Sequence, residues 1–173
     1  MQKKQLIKTF EEIRDLPYRI PLTKTEIKTK DYSCVGKSKM LYQILKSDYP
    51  VRYRFSEFKW KKNANLPHDI LKKFKGEDTD YHCYIEIYLN NKWITLDPSL
   101  DKKLGKLIPI NYWDGKTNTS INFNYDRIIP PSTKESDKLE KEAFNADERI
   151  LEIKKNYIFF KEFNQLFEKI RNL

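Results

Sequence analysis

The chain is poor in features that commonly announce export, metal binding or membrane insertion. No uninterrupted apolar stretch approaches about 18 residues, so no membrane span is expected. The opening Met1-Gln2-Lys3-Lys4-Gln5-Leu6-Ile7-Lys8 is basic but leads into no apolar region, so no signal peptide is expected either. With only 2 cysteines and no export signal, the expectation is a cytoplasmic protein with free thiols. The paired C-x-x-C spacing of structural zinc sites is missing, and neither a metal nor a cofactor is expected. Glycine is scarce, at 4 residues, and no internal repeat or low-complexity tract interrupts the chain.

What is present is enough for a core. Hydrophobic residues make up 39% and aromatics 14% of 173 residues, which places the chain among globular proteins and fits a single domain over 1–173. Charge is uneven. Residues 1–62 hold 16 Lys and Arg against 7 Asp and Glu, whereas 63–134 hold 10 against 9 and 135–173 hold 8 against 9. The net +9 therefore lies around and upstream of Cys34. It reads first as a solvated lysine-rich surface, and second as a basic rim for an acidic partner. Nucleic acid is not an expected partner, because no nucleic-acid-binding motif accompanies the charge.

Periodicity organises the rest. Leu6, Ile7, Phe10 and Ile13 recur at helical spacing and predict a helix over 3–15, ended by Pro17 and Pro21. Residues 22–33 read as loop. Ser33 can cap a helix that starts near Cys34, carries Leu41, Ile44 and Leu45, and ends around Lys46-Ser47-Asp48 ahead of Pro50. Val51, Tyr53 and Phe55 alternate with polar residues as in a strand. Residues 61–80 read as a polar surface excursion with a helical turn at 68–74. Strands are predicted over 81–89 and 92–97 with Asn90-Asn91 as the hairpin turn, and another over 120–125. From Thr133 onward apolar residues at spacings of three to six predict one or two helices packed on the core.

Three residues then stand out as chemistry. Cys34 is set at a helix start, where unpaired N–H groups and the positive end of the dipole favour a thiolate and can supply part of an oxyanion hole. His82 opens a strand. Asp97 ends the next one, and pairing across Asn90-Asn91 matches residue 84 with 97, which brings Asp97 close to the start of the His82 strand. An aspartate there fixes the imidazole tautomer and stabilises the imidazolium. A thiol nucleophile, a base and an orienting carboxylate are the components of acyl transfer through a thioester. Cys83 should face away from the His82 side and fill core. His68 has no such context. Asp80 is a rival orienter ranked below Asp97, and Asp114 is a lower-ranked acid.

The order of Cys34 at a helix start, Tyr49-Pro50-Val51-Arg52, His82-x-Tyr84-x-Glu86 and Trp93-x-x-x-Asp97-Pro98 resembles the transglutaminase-like superfamily over roughly residues 17–105. That family has a papain-like core with a Cys-His-Asp triad. It includes protein cross-linking enzymes, microbial peptidases, a peptide-deglycosylating enzyme and members that have lost catalysis. The resemblance implies an α+β fold with a core over about 17–130, the cysteine helix packed on an antiparallel sheet, and a C-terminal helical segment over 133–173. It implies Cys34 as nucleophile, His82 as base and Asp97 as orienter. It also implies a protein or peptide amide as substrate, with hydrolysis of a peptide or isopeptide bond favoured over transamidation. Two positions depart from the family: Tyr32 stands where a glycine is common, and Tyr84 where a tryptophan is common. Both alter the walls of the site and are candidate substrate contacts, as is Trp113 in the aromatic loop. No glutamine stands just upstream of Cys34, which leaves the Cys34 amide without an identified partner in the oxyanion hole. The alternative is an inactive member of the family, kept as a binding module with a basic N-terminal surface.

Overall fold

The computed structural model describes residues 1–62 and 66–173. Helix α1 (Lys3–Arg14) turns Leu6, Thr9, Phe10 and Arg14 inward, close to the face that the spacing predicts. The loop expected over 22–33 contains a short helix, α2 (Lys24–Thr29). It buries none of its residues, so hydrophobic periodicity could not reveal it. What makes it is a capping box, in which the Thr23 hydroxyl accepts from Glu26 N and the Glu26 carboxylate accepts from Thr23 N. Helix α3 (Cys34–Leu45) starts and stops where expected, with Ser33 as its N-cap.

Strand β1 (Val51–Lys59) continues past the alternating segment into a single 3-10 turn, Trp60–Lys62. The polar excursion over 61–80 includes residues 63–65, which lie outside the described residues. Within it, α4 (His68–Leu71) buries Ile70 and Leu71. Strands β2 (Thr79–Leu89) and β3 (Lys92–Leu96) form the predicted hairpin, with Leu89 opposite Lys92 and Ile85 opposite Leu96. The turn residues Asn90 and Asn91 both take positive φ, 50° and 63°, which two-residue hairpin turns demand and asparagine tolerates. A second 3-10 turn covers Lys102–Lys106. The last strand, β4 (Tyr125–Ile128), begins where the predicted one over 120–125 ends, because the chain just before it is used to bond other loops. The sheet order is β3-β2-β1-β4 and all pairs are antiparallel, so the chain is α+β.

The C-terminal segment is three helices instead of one or two: α5 (Lys134–Phe144), α6 (Ala146–Lys155) and α7 (Tyr157–Arg171). Asparagines make the breaks. Asn145 leaves helical geometry and its side chain caps α6 through Asp147 N and Glu148 N, while Asn156 turns its side chain to Lys75 N at 2.7 Å. No helix among the described residues is long and apolar enough to cross a membrane.

Two apolar clusters result. In one, Leu6 and Phe10 of α1 and Leu41 and Leu45 of α3 pack on Ile85, Ile87 and Ile94 of the sheet. In the other, Trp60 sits among Phe58, Phe123, Phe159 and Phe163, with ring centroids 5.0–6.0 Å away, so the C-terminal helices share a core with the sheet. Helix α7 also grips the extended chain after α1. Asn164 donates to Ile20 O at 2.8 Å and accepts from Ile20 N at 2.9 Å. Two turns on, Arg171 donates to Tyr18 O at 2.6 Å and to Asp101 Oδ2 at 2.8 Å, while Asp101 Oδ2 accepts from Tyr18 N at 2.9 Å.

The Arg171 and Asp101 side chains are only 6% and 2% exposed, so neither charge can be solvated if the other is removed. Arg171→Leu should therefore cost about 3–5 kcal/mol in urea unfolding, the usual penalty for stranding one buried charge. A loss under about 1 kcal/mol would mean that the pair is effectively solvated.

Candidate active site

The cysteine helix begins at residue 34 because the three residues before it fold onto themselves. Asp31 Oδ1 accepts from Ser33 N at 3.1 Å and from Ser33 Oγ at 2.6 Å. Arg149 of α6 closes this turn from outside, pairing with Asp31 Oδ2 and donating to Ser33 Oγ at 3.2 Å. Gly36 completes it, since a Cβ there would stand 1.9 Å from the Asp31 carbonyl oxygen. Cys34, 9% exposed, lines a cleft of about 850 Å³.

The carboxylate of Asp97 is held by the same local device. Asp97 Oδ1 accepts from Ser99 N at 3.1 Å and Ser99 Oγ at 2.6 Å, an Asp-x-Ser turn like the one at Asp31. Asn122 N donates to Oδ2 at 2.8 Å. The backbone is tied as well: Asp97 N donates to Thr119 Oγ1 at 2.9 Å, and Asn111 Nδ2 donates to Asp97 O at 3.0 Å. The remaining partner of Oδ2 is His82 Nε2, 2.7 Å away, with both side chains fully buried. Burial pushes the Asp97 carboxyl up, but the His82 charge and hydrogen bond, then Ser99 and Asn122, leave it below the usual carboxylate range.

For His82, burial pushes the imidazole down, while the charge and hydrogen bond of Asp97, followed by those of Cys34, lift it to about 10. Its other nitrogen, Nδ1, is buried and has no hydrogen-bond partner among the described residues. Cys34 lines the same cleft as His82 and is among the groups that raise the imidazole. One imidazole thus has a carboxylate on Nε2 and shares its cleft with a thiol. Phe123 packs against the ring with centroids 4.8 Å apart, and Tyr84 stacks behind it at 6.2 Å.

The other predicted contacts lie elsewhere. Tyr84 is 1% exposed and supports His82 from within the protein. Trp113 is 4% exposed and packs edge-on against Phe10 at 5.9 Å, its indole N–H satisfied by Thr117 O at 2.9 Å, which makes it a core residue and no part of the cleft wall. Tyr32 is half-buried and also outside that wall, its carbonyl accepting from Arg19 N. Asp80 does line the cleft, but its oxygens accept from Trp60 Nε1 and Tyr81 N. Glu86 pairs with Arg52 and Arg54, Asp114 caps an exposed turn at Lys116 and Thr117, and His68 is exposed. Cys83 is fully buried, and Ser38 Oγ donates to its carbonyl. Among the described residues no group of three or more His, Cys, Asp or Glu is placed to hold a metal ion.

Tyr18, Lys37, Ser99, Asn111, Thr119, Asn122 and Arg149 also build the site, yet stand in no motif that singles them out. The repeated Asp-x-Ser was the one local signal available. The basic N-terminal third is also not all solvated surface: Arg14 is 2% exposed and Lys37 is fully buried. Lys37 lies one turn after Cys34, and its Nζ donates to Arg14 O and Ser99 O, both at 2.7 Å, tying α1 to the Asp97 turn beneath the site. Burial pushes this lysine down to about 7, against the opposing pull of Asp101.

Lys37 and His82 give opposite pH dependence. His82 stays protonated in the folded state up to about 10, so its contribution is complete below about 6.5 and fades as pH rises through 10. The cost of burying Lys37 is complete below about 7 and fades between there and 10.5. With the thiol removed by Cys34→Ser, His82 loses the Cys34 share of its lift and keeps the larger Asp97 share, so the two should oppose each other and stability should change little from about pH 7 to pH 8. Adding Asp97→Asn releases the His82 proton, and stability should then climb with pH by up to about 1.4 kcal/mol per unit. Urea unfolding across that window checks it, and a flat profile in the double variant would show that Asp97 does not hold His82 protonated.

No family model, no curated protein and no solved structure matches this chain.

Proposed function

We propose that the protein is a cysteine-dependent acyl-transfer enzyme with a papain-like core of the transglutaminase-like kind. The observation that carries this reading is a fully buried His82–Asp97 pair whose imidazole lines the same open cleft as Cys34. A buried ion pair contributes little net stability for its cost. An imidazolium beside a thiol at a helix start has a direct chemical use, because it favours the thiolate.

In the proposed reaction the Cys34 thiolate attacks the carbonyl carbon of an amide, and the carbonyl π pair moves to oxygen. The tetrahedral adduct collapses, the C–N bond breaks, and His82 gives its proton to the departing amine. Asp97 stays ionised and keeps the imidazole aligned through Nε2. Water, deprotonated by His82, then attacks the thioester and releases the acid and the thiolate. The cleft has an aromatic floor that includes Trp60, Phe58 and Phe123, and its rim carries Glu148, Glu152 and Lys155, which suits a peptide chain better than a small polar molecule. Hydrolysis of a peptide or isopeptide bond is therefore the preferred outcome.

Alkylation by iodoacetamide reads the thiolate without requiring a known substrate. Cys34 should be alkylated rapidly at pH 6–7, faster than free cysteine by about tenfold or more. His82→Ala should abolish that excess, and Asp97→Asn should reduce it. Cleavage of labelled casein or of a γ-glutamyl-lysine isopeptide should disappear in Cys34→Ala. Alkylation no faster than free cysteine at pH 6–7, or unaltered by His82→Ala, would remove the proposal.

A further inference from the structure

Acyl transfer needs two donors for the developing oxyanion, and α3 supplies one. The Cys34 amide is the first of the helix and has no intrahelical acceptor. The second donor must be held rigidly, reach the same cleft and have nothing else to bond. Tyr18 meets those conditions.

Its ring is 1% exposed and packs among Phe123, Phe163 and Phe167, with centroids 5.8–6.3 Å away. Its backbone is clamped on both sides, N–H by Asp101 and C=O by Arg171, and the next residue is strapped to the cysteine loop through Arg19 N and Tyr32 O. Two residues on, Asn164 holds Ile20 in the same way. All this fixes a side chain that lines the cleft together with Cys34 and His82. The Tyr18 hydroxyl itself makes no hydrogen bond to any described residue. Packing alone would be served by phenylalanine; the hydroxyl is not one of the fully buried polar atoms, so it opens on the cleft, where water meets it in the free protein and a substrate oxygen can take that place.

We propose that the Tyr18 hydroxyl, with the Cys34 backbone N–H, forms the oxyanion hole. This rests on the acyl-transfer reading above. When Cys34 Sγ bonds to the carbonyl carbon, the π pair becomes an alkoxide that accepts from both donors. When the C–N bond breaks, the carbonyl re-forms and the two hydrogen bonds relax, with no proton transferred to or from Tyr18. Burial, then the charge of Cys34, keeps this phenol protonated well above the usual tyrosine range, so it remains a donor wherever the thiolate is active.

Two reactions at the same sulfur separate this role from a structural one. Acylation of Cys34 by p-nitrophenyl acetate passes through an oxyanion, whereas alkylation by iodoacetamide displaces iodide directly and makes none. In the native protein the ratio of acylation rate to alkylation rate should exceed that of N-acetylcysteine by about tenfold or more. Tyr18→Phe keeps the ring and removes only the unpaired hydroxyl. It should bring the ratio back near that of N-acetylcysteine, while alkylation stays within about twofold of wild type. A ratio unchanged in Tyr18→Phe overturns the proposal, as does a native ratio no higher than that of N-acetylcysteine. Equal losses in both reactions also overturn it, because the hydroxyl would then act on the thiolate. Native alkylation no faster than free cysteine overturns the acyl-transfer reading instead, and this proposal falls with it.

Discussion

A carboxylate and an imidazole, both without solvent contact, can coexist in a protein interior only if their polar atoms are met by donors. Asp97 satisfies that condition with Ser99 N, Ser99 Oγ, Asn122 N and His82 Nε2, and much of the surrounding chain is arranged to supply them. The 111–122 segment forgoes regular structure so that Asn111, Thr119 and Asn122 can strap the Asp97 turn. The hairpin gives the pair its distance, and the strap gives the carboxylate its orientation. Of the polar atoms of this pair, His82 Nδ1 lacks a partner among the described residues, and in the proposed reaction it is the nitrogen that serves the thiol.

The C-terminal helices are part of the site and not an appendage to it. Arg149 of α6 holds the turn that starts the cysteine helix, while Asn164 and Arg171 of α7 hold the strand-like segment that carries Tyr18. These bonds span more than a hundred residues of chain. Each arginine works through a buried or nearly buried carboxylate, Asp31 or Asp101, so cleft geometry and global stability are linked through the same ion pairs. Lys37 adds a third tie from within α3, reaching two backbone carbonyls below the cysteine. Charge that a linear count assigns to the surface is in these cases structural.

Local rules recovered a good part of the architecture. The α1 spacing, the Ser33 cap, the Asn90-Asn91 turn and the alternation in β1 each depend on neighbours within a few residues, and each element is found. The register of the hairpin followed from its two-residue turn, which is why the proximity of Asp97 to the His82 strand could be inferred before any tertiary contact was known. Helix α2 escaped because it is held by a capping box and buries nothing. The C-terminal breaks escaped because Asn145 and Asn156 act through side-chain bonds, one of them to Lys75 far away in sequence. Trp113 was misassigned because an aromatic loop can as easily fold onto α1 as line a groove, and the choice depends on whether the indole N–H finds a partner, here Thr117 O.

The α+β class, the helix start at Cys34 and a hairpin that sets His82 near Asp97 are all legible in the linear chain. Those are consequences of short-range capping, turn and pairing preferences, which act within one element or between consecutive ones. That Arg14 and Lys37 are interior groups, that Asp97 is fully satisfied, and that Tyr18 lines the same cleft as Cys34 are settled only once the elements pack. These outcomes depend on desolvation and on bonds between residues up to 153 positions apart, quantities that have no value until the chain is folded.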